Sequence, residues 1–386
     1  MVDLNNLLVC RNLLKYKEEL TSNSMESTSK MIAKAEELGL SGNVIREYLL
    51  YLLTHEPNLV SATVELNGGK IGASLKDFFI TDIINLWTLF DDVSNSVLVD
   101  YKPTKPINHT HLEMLSDDPT SMADALIDYY RRYGCGEIAD YCAFRWNGKL
   151  IGIKHFEDIH LSDLIGYDHQ KSQLTGNTEA FVEGKPANNV LLVGARGTGK
   201  SSSVKALANE YFSKGLRLLQ ITKPQLKNLP DIMETLRSYA SKRFIIFLDD
   251  LSFEETDPEY KYLKSAIEGG VEARPDNVLI YATSNRRHLI RETWRDRVDG
   301  QDELYRDDSV NETISLSDRF GLIIYYYSPS QAEYLEIIRH MLKKQNIELD
   351  DEQLRVEGLR WEMTHSGRNG RTAQQFVTNY LGQRLN

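Results

Sequence analysis

The chain has 386 residues, more than one ordinary core uses, and its 41% apolar and 26% charged residues are the balance of a globular protein in two or three domains. A net charge of −11, with 14 Lys+Arg against 21 Asp+Glu in residues 1–150, excludes a general nucleic-acid coat or a binder of anionic membranes. Three scattered cysteines (Cys10, Cys135 and Cys142) fit a reducing cytoplasm, and neither the polar, acidic start nor any apolar run reads as a signal peptide or membrane span.

Residues 1 to about 90 read as mostly helical. Residues 5–20 place Leu7, Leu8, Leu14 and Tyr16 near helical spacing, and 27–38 and 43–53 form a pair broken at Gly39 and Ser41-Gly42. Residues 75–90 make a strongly apolar helix. Its Phe78, Phe79, Ile83, Trp87 and Phe90 mark a buried helix or an interface rather than a small-molecule site. Residues 102–119 hold three prolines and read as a loop. His109 and His111 lie two apart within it without a third ligand, so surface histidines are expected over a metal site. Residues 121–133 form another helix, and 141–153 a β-hairpin around the Asn147-Gly148 turn. That hairpin closes the N-terminal part or joins it to the next. Three domains are therefore expected: a mainly helical partner or substrate domain at 1–154 ending in this hairpin, an α/β core at 155–328 and a helical lid at 329–386.

From His160 the texture changes. A helix ends near Glu183-Gly184, and an apolar run from Val190 leads into Gly194-Ala-Arg-Gly-Thr-Gly-Lys-Ser201 and a second helix. Further strands are predicted at 216–222, 244–250, 277–285 and 321–327, with a helix beginning over 229–237. Continuous apolar strands alternating with helices specify a parallel sheet covered on both faces. After Ser328-Pro-Ser the pattern is helical throughout, at 331–345, 350–363 and 371–385.

Residues 194–201 match the phosphate loop, G-x-x-x-x-G-K-[ST], in its required strand–loop–helix setting. The glycines let the backbone of Gly194, Ala195, Arg196, Gly197, Thr198 and Gly199 turn its amides around a phosphate. The helix starting near Ser202 adds its positive end. Lys200 is expected on the β- and γ-phosphates of ATP and Ser201 on magnesium. A chance Gly-rich turn would not match eight positions with correct flanks. Asp249 and Asp250 close an apolar strand, where the first acid would hold magnesium and the second polarise the attacking water, although acidic pairs also occur in plain turns. Asn285 ends the next strand and could orient that water or simply cap a turn, with Ser284 as the fallback. Arg319, just before the last strand, would reach a neighbouring subunit's site as an arginine finger or pair with Asp318. Arg371, with Arg368 second, could reach from the lid to the nucleotide, or either could sit in solvent at a helix start.

In this order the landmarks resemble the AAA+ ATPases over residues 155–386. That resemblance implies a parallel five-stranded P-loop sheet flanked by helices, a C-terminal lid and homo-oligomerisation around ATP or ADP. Gly-Ala-Arg-Gly-Thr-Gly-Lys-Ser, Leu-Asp-Asp-Leu-Ser-Phe-Glu-Glu255, the string Glu268 to Leu289 and Ser-Leu-Ser-Asp-Arg-Phe-Gly321 are similar, more narrowly, to a bacterial family of ATP-binding proteins known as domain of unknown function 815. In that family Asp-Asp stands where most AAA+ proteins carry Asp-Glu. The segment 223–230 has no aromatic pore residue, which argues against a threading unfoldase. Arg286-Arg-His-Leu-Ile-Arg291 could touch nucleic acid but is expected to pair with the acidic residues of 296–308. The first expectation is an oligomerising ATPase that remodels an unknown protein partner. A nucleic-acid-associated ATPase akin to a helicase loader, and a nucleotide-gated switch with little turnover, are the alternatives. No membrane partner is expected.

Overall fold

A computed structural model of the chain describes residues 4–21, 24–90, 98–107, 118–254, 257–268, 274–285, 289–291 and 316–384. His109, His111, Arg286, Arg287 and the segment 296–308 lie outside the described residues.

The N-terminal helices are α1 (Lys17–Thr21), α2 (Met25–Leu38), α3 (Val44–His55), α4 (Leu59–Leu66), α5 (Ala73–Phe90), α6 (Pro119–Arg132) and α7 (Glu137–Asp140). Ser24 and Asn43 cap α2 and α3 through their side chains, and α2 stops at Gly39. The single helix expected over 5–20 is instead two 3-10 turns, Leu4–Asn6 and Arg11–Tyr16, followed by α1. The cause is Asp82 on α5. Its fully buried carboxylate accepts the N–H groups of Leu8, Val9 and Cys10 at 2.8 Å each, which takes those donors away from any helix. Around it α5 buries Phe79, Ile83 and Leu86, while Phe78 stays half exposed.

The apolar runs form strands β1 (Ala143–Trp146), β2 (Leu150–Gly152), β3 (Val190–Gly194), β4 (Leu216–Ile221), β5 (Arg243–Leu248), β6 (Phe253–Glu254), β7 (Val278–Ser284), β8 (Ile290–Arg291) and β9 (Leu322–Tyr326). Seven make one sheet in the order β2-β1-β4-β5-β7-β3-β9, parallel except for the hairpin pair; β6 and β8 form a separate two-stranded parallel sheet. Alternate side chains of β5 serve opposite faces. Phe244, Ile246 and Leu248 pack with α10 (Leu229–Arg237) and α11 (Glu259–Glu268), whereas Ile245 and Phe247 join the core that contains Leu174 of α8 (Asp168–Val182) and Leu207 of α9 (Lys200–Glu210). The five expected parallel strands are all present.

The hairpin turns at Asn147-Gly148, as its residues require, but β1 pairs in parallel with β4, Ala143 opposite Leu218. It is an extension of the main parallel sheet. A division of the chain at 154/155 would therefore cut between the sheet and its own edge. The opposite edge, β9, is covered by α8: Tyr167 donates its hydroxyl to the Tyr327 carbonyl at 2.7 Å, and Gln170 Nε2 donates to the Tyr325 carbonyl at 3.0 Å.

Two buried cations join the N-terminal helices to the starts of β4 and β5. Arg217 donates to the carbonyls of Ile138, Tyr133 and Leu216 at 2.7 Å and of Phe212 at 3.0 Å. Lys242 donates to the carbonyls of Tyr130 at 2.8 Å and Arg131 at 3.0 Å, to Ser241 Oγ at 2.7 Å, and lies 3.3 Å from the Glu65 carboxylate. The unsatisfied carbonyls at the end of α6 thus meet positive charge. Burial pulls the Lys242 pKa down to about 8, against the opposing pull of Glu65.

The C-terminal helices are α12 (Gln331–Lys344), α13 (Asp351–Met363) and α14 (Gly370–Arg384), close to their expected spans. A Ser330/Glu333 capping box starts α12, and Tyr334, Ile338, Leu342, Leu354, Phe376 and Val377 fill the core between the three.

Candidate functional site

The chain leaves β3 for β4 on one side and leaves β7 for β9 on the other, so the carboxyl ends of β3 and β7 border a crevice at a topological switch point. The phosphate-loop residues lie there. Gly199 is the N-cap of α9 at φ 90° and offers no capping side chain, so the first N–H groups of α9 remain available to an anion. Lys200 is only 6% exposed. Its Nζ donates to the carbonyls of Gly194 and Ala195 at 2.7 Å and to Asn285 Oδ1 at 3.2 Å. Burial lowers its pKa, while Asp250 and Asp249 pull the other way. Thr198 secures the loop by donating its hydroxyl to the Ala195 carbonyl at 2.9 Å.

Ser201 Oγ donates to Asp249 Oδ1 at 2.5 Å, so the two residues expected on magnesium already touch. Asp250 stands at φ 51°, a left-handed conformation uncommon outside glycine but one that Asp tolerates better than most residues. Asn285 Nδ2 donates to one of its carboxylate oxygens, and Arg196 Nη2 lies 3.5 Å from the other. Ser284 is fully buried opposite Val193 and does not line the cleft.

These groups open onto a cleft of about 1120 Å³. Its polar end carries Arg196, Gly197, Thr198, Gly199, Lys200, Ser201, Ser202, Asp249, Asp250 and Asn285. It is also lined by the apolar Leu164, Ile165 and Tyr167, by Ile337 and Met341 of α12, and by Arg371 of α14. Lys344 of α12 pairs with Asp163. Arg371 makes no ion pair among the described residues. Arg368 is bound to Glu362 at 2.9 Å and faces a separate cavity of about 310 Å³ behind Arg196. Arg319 does not line the cleft; its Nε donates to Glu268 at the end of α11, a different partner from the Asp318 that adjacency suggested.

Two features escaped the sequence reading. Thr283 donates its hydroxyl to Asp249 Oδ1 at 2.7 Å and accepts the Asp250 N–H at 2.9 Å. Only the register of β7 against β5 reveals this, because the string Ala-Thr-Ser-Asn offers three polar candidates in a row. The lid also rests directly on the phosphate loop. Gly370 donates its N–H to the Gly197 carbonyl at 2.8 Å, and a Cβ on Gly197 (φ 77°) would lie 2.5 Å from Asn369 Oδ1. No sequence signal marks that contact.

The donors present suit a magnesium nucleotide. Ser201 and Asp249 are hard oxygen ligands of the number a magnesium ion takes from protein when phosphates and water supply the rest. Among the described residues no cluster of three His, Cys, Asp or Glu exists to hold another metal. Lys200 and the free N–H groups of α9 suit the phosphates. No described helix is long and apolar enough to cross a membrane.

Comparison with known proteins adds four findings. Replication factor C large subunit of Staphylothermus marinus is 32% identical over 98 residues, 24% of this chain and 22% of that protein. The RuvB Holliday junction branch migration motor of Thermotoga maritima is 18% identical, with 57% of this chain and 63% of that chain covered and a TM-score of 0.39. The FIGL-1 AAA domain in complex with ADP is 18% identical, with 57% and 72% covered and a TM-score of 0.41. The chain thus spans less than two thirds of the replication factor and of RuvB. The model of the family described as Protein of unknown function (DUF815) matches residues 139–384, a stretch that begins just before β1 and takes in sheet, cleft and lid. The chain is a member of that family.

Proposed function

We propose that the chain is a cytoplasmic, magnesium-dependent ATPase that assembles into oligomers and remodels a protein partner engaged by its N-terminal helices. The observation that carries this is the convergence of Lys200, Ser201, Asp249, Asp250 and Asn285 in one cleft closed by the lid. Bound magnesium ATP supplies a labile γ-phosphoryl group and a Lewis-acid charge beside it. Lys200 exchanges its two loop carbonyls for anionic phosphate oxygens, and the amides of the loop and of the first turn of α9 share that load. Ser201 and Asp249 hold the metal. Asp250 takes hydrogen bonds, and then a proton, from the attacking water, which Asn285 orients beside it.

Arg371 reaches the same space from α14 and ties phosphate charge to lid position. Arg319 acts on a neighbour's nucleotide, which requires its bond to Glu268 to open on assembly. Lys200→Ala should abolish ATP binding, whereas Asp250→Ala should leave binding intact and stop turnover, measured by nucleotide titration and phosphate release. ATP binding by Lys200→Ala at wild-type affinity would overturn the reading.

A second reading, a nucleic-acid-associated ATPase akin to a helicase loader, is favoured by the 98-residue likeness to a replication factor subunit. Stimulation of hydrolysis by DNA or RNA supports it over the first.

A further inference from the structure

The last paired residues of β5 and β7 are Leu248 and Ala282. Beyond that pair β5 stops, while β7 continues for two residues against β3, with Thr283 opposite Leu192. Thr283 is 1% exposed and sits between the strand that leads to the phosphate loop and the strand that leads to the two acids.

Three consecutive residues depend on it. The Thr283 hydroxyl donates to Asp249 Oδ1 at 2.7 Å. Thr283 Oγ1 also accepts the Asp250 N–H at 2.9 Å, and the Thr283 carbonyl accepts the Leu251 N–H at 2.7 Å. Asp250 has turned out of the ladder into the left-handed region, which costs an L-residue free energy and removes its N–H from any strand partner. Thr283 Oγ1 supplies the missing acceptor. Asp249 Oδ1 receives two hydroxyls, from Ser201 and Thr283, which fixes the carboxylate plane; Oδ2 accepts no hydrogen bond among the described residues. Ser201 has a second duty as a metal ligand under the proposed function. Thr283 has none, and branching at its Cβ restricts χ1.

We infer that Thr283 is a positioning residue for magnesium. It aims the free oxygen of Asp249 at the metal and pins the backbone turn that presents Asp250. The inference rests on the reading of Asp249 as the metal carboxylate, and it assigns the geometry of both acids to one hydroxyl on a neighbouring strand. Partners that orient a metal ligand from behind commonly change metal affinity about 10–100-fold when removed.

The test is Thr283→Val, which keeps shape and branching but removes the hydroxyl, beside Thr283→Ser, which keeps the hydroxyl. Binding of a fluorescent ATP analogue to the full chain is titrated first in EDTA, then against magnesium at fixed nucleotide. The phosphate loop is untouched, so binding in EDTA should stay within about 2-fold of wild type for both variants. The magnesium concentration for half-maximal response should rise at least about 10-fold in Thr283→Val and stay within about 3-fold in Thr283→Ser. A wild-type magnesium response in Thr283→Val overturns the inference, as does equal damage in Thr283→Ser. If wild-type protein binds nucleotide with no response to magnesium, the proposed function falls and takes the inference with it. Should thermal unfolding show that Thr283→Val does not fold, Thr283→Cys retains volume with a much weaker hydrogen bond and must show the same magnesium defect.

Discussion

Replacing Lys242 by Met tests the joint between the N-terminal helices and the sheet. The ammonium is fully buried and donates to two carbonyls at the end of α6 and to Ser241, with Glu65 beside it. Removing one partner of a buried pair costs about 3–5 kcal/mol, because Glu65 and the α6 carbonyls lose their counter-charge without regaining water. Met fills the space and avoids the desolvation of an ammonium, so the lower end, about 3 kcal/mol near pH 7.5, is expected. The pH dependence is more specific. Burial holds the pKa of Lys242 at about 8, against the usual 10.5. Below about pH 8 the side chain is charged whether the chain is folded or unfolded. Between about 8 and 10.5 the unfolded chain keeps a proton that the folded chain has released, so wild-type stability rises with pH at up to about 1.4 kcal/mol per pH unit. Above 10.5 the rise is complete. Urea unfolding of both proteins at pH 8 and pH 9.5 should therefore show wild type gaining about 2 kcal/mol over Lys242→Met. Parallel profiles across that interval would refute the buried-ammonium argument. Turnover per folded molecule should be unchanged, because the length of β5, roughly 20 Å at ~3.3 Å per residue, separates this joint from Asp249.

Gly197→Ala should weaken nucleotide binding at least about 10-fold with little loss of global stability. The new Cβ meets a left-handed backbone and Asn369 at 2.5 Å, and a strain of about 1–3 kcal/mol falls on the loop and lid together; unchanged affinity by nucleotide titration would argue against the lid seat. Arg319→Ala should lower thermal stability by no more than about 1 kcal/mol, since a partly exposed pair is lost. Turnover should fall about 10³-fold if the arginine acts as a finger. Mixing Arg319→Ala with Asp250→Ala subunits should restore part of the activity, and no recovery would argue against shared sites.

The phosphate loop, the five parallel strands and the lid helices could all be read in the sequence because local signals specify them: a glycine pattern, unbroken apolar runs and amphipathic periods. Pairings between distant segments could not. The hairpin is written in Asn147-Gly148, yet its choice of β4 as neighbour depends on which strand edge is free once the sheet has formed. The helical spacing of Leu7, Leu8, Leu14 and Tyr16 yields to Asp82, more than 70 positions away, which removes three backbone donors. Arg319 has an acid next to it in sequence and bonds one 51 positions back instead. At the site, residue types named the loop and both acids, but the duty of Thr283 follows from strand register alone.

The edges of the sheet bear on how copies of this chain can meet. On one side the outermost strand is β2, three residues long. On the other, the carbonyls of Tyr325 and Tyr327 on and just beyond β9 are occupied by Gln170 and Tyr167 of the α8 segment. Among the described residues neither border of this seven-stranded sheet presents a long row of free backbone groups for another strand to extend, which blunts the usual route to edge-to-edge aggregation. Under the proposed oligomerisation, subunits would then join through side chains on helices and loops rather than through a shared sheet. Such contacts would be free to form and break in the nucleotide cycle proposed above, whereas a sheet continued from one subunit into the next would be locked by its own ladder.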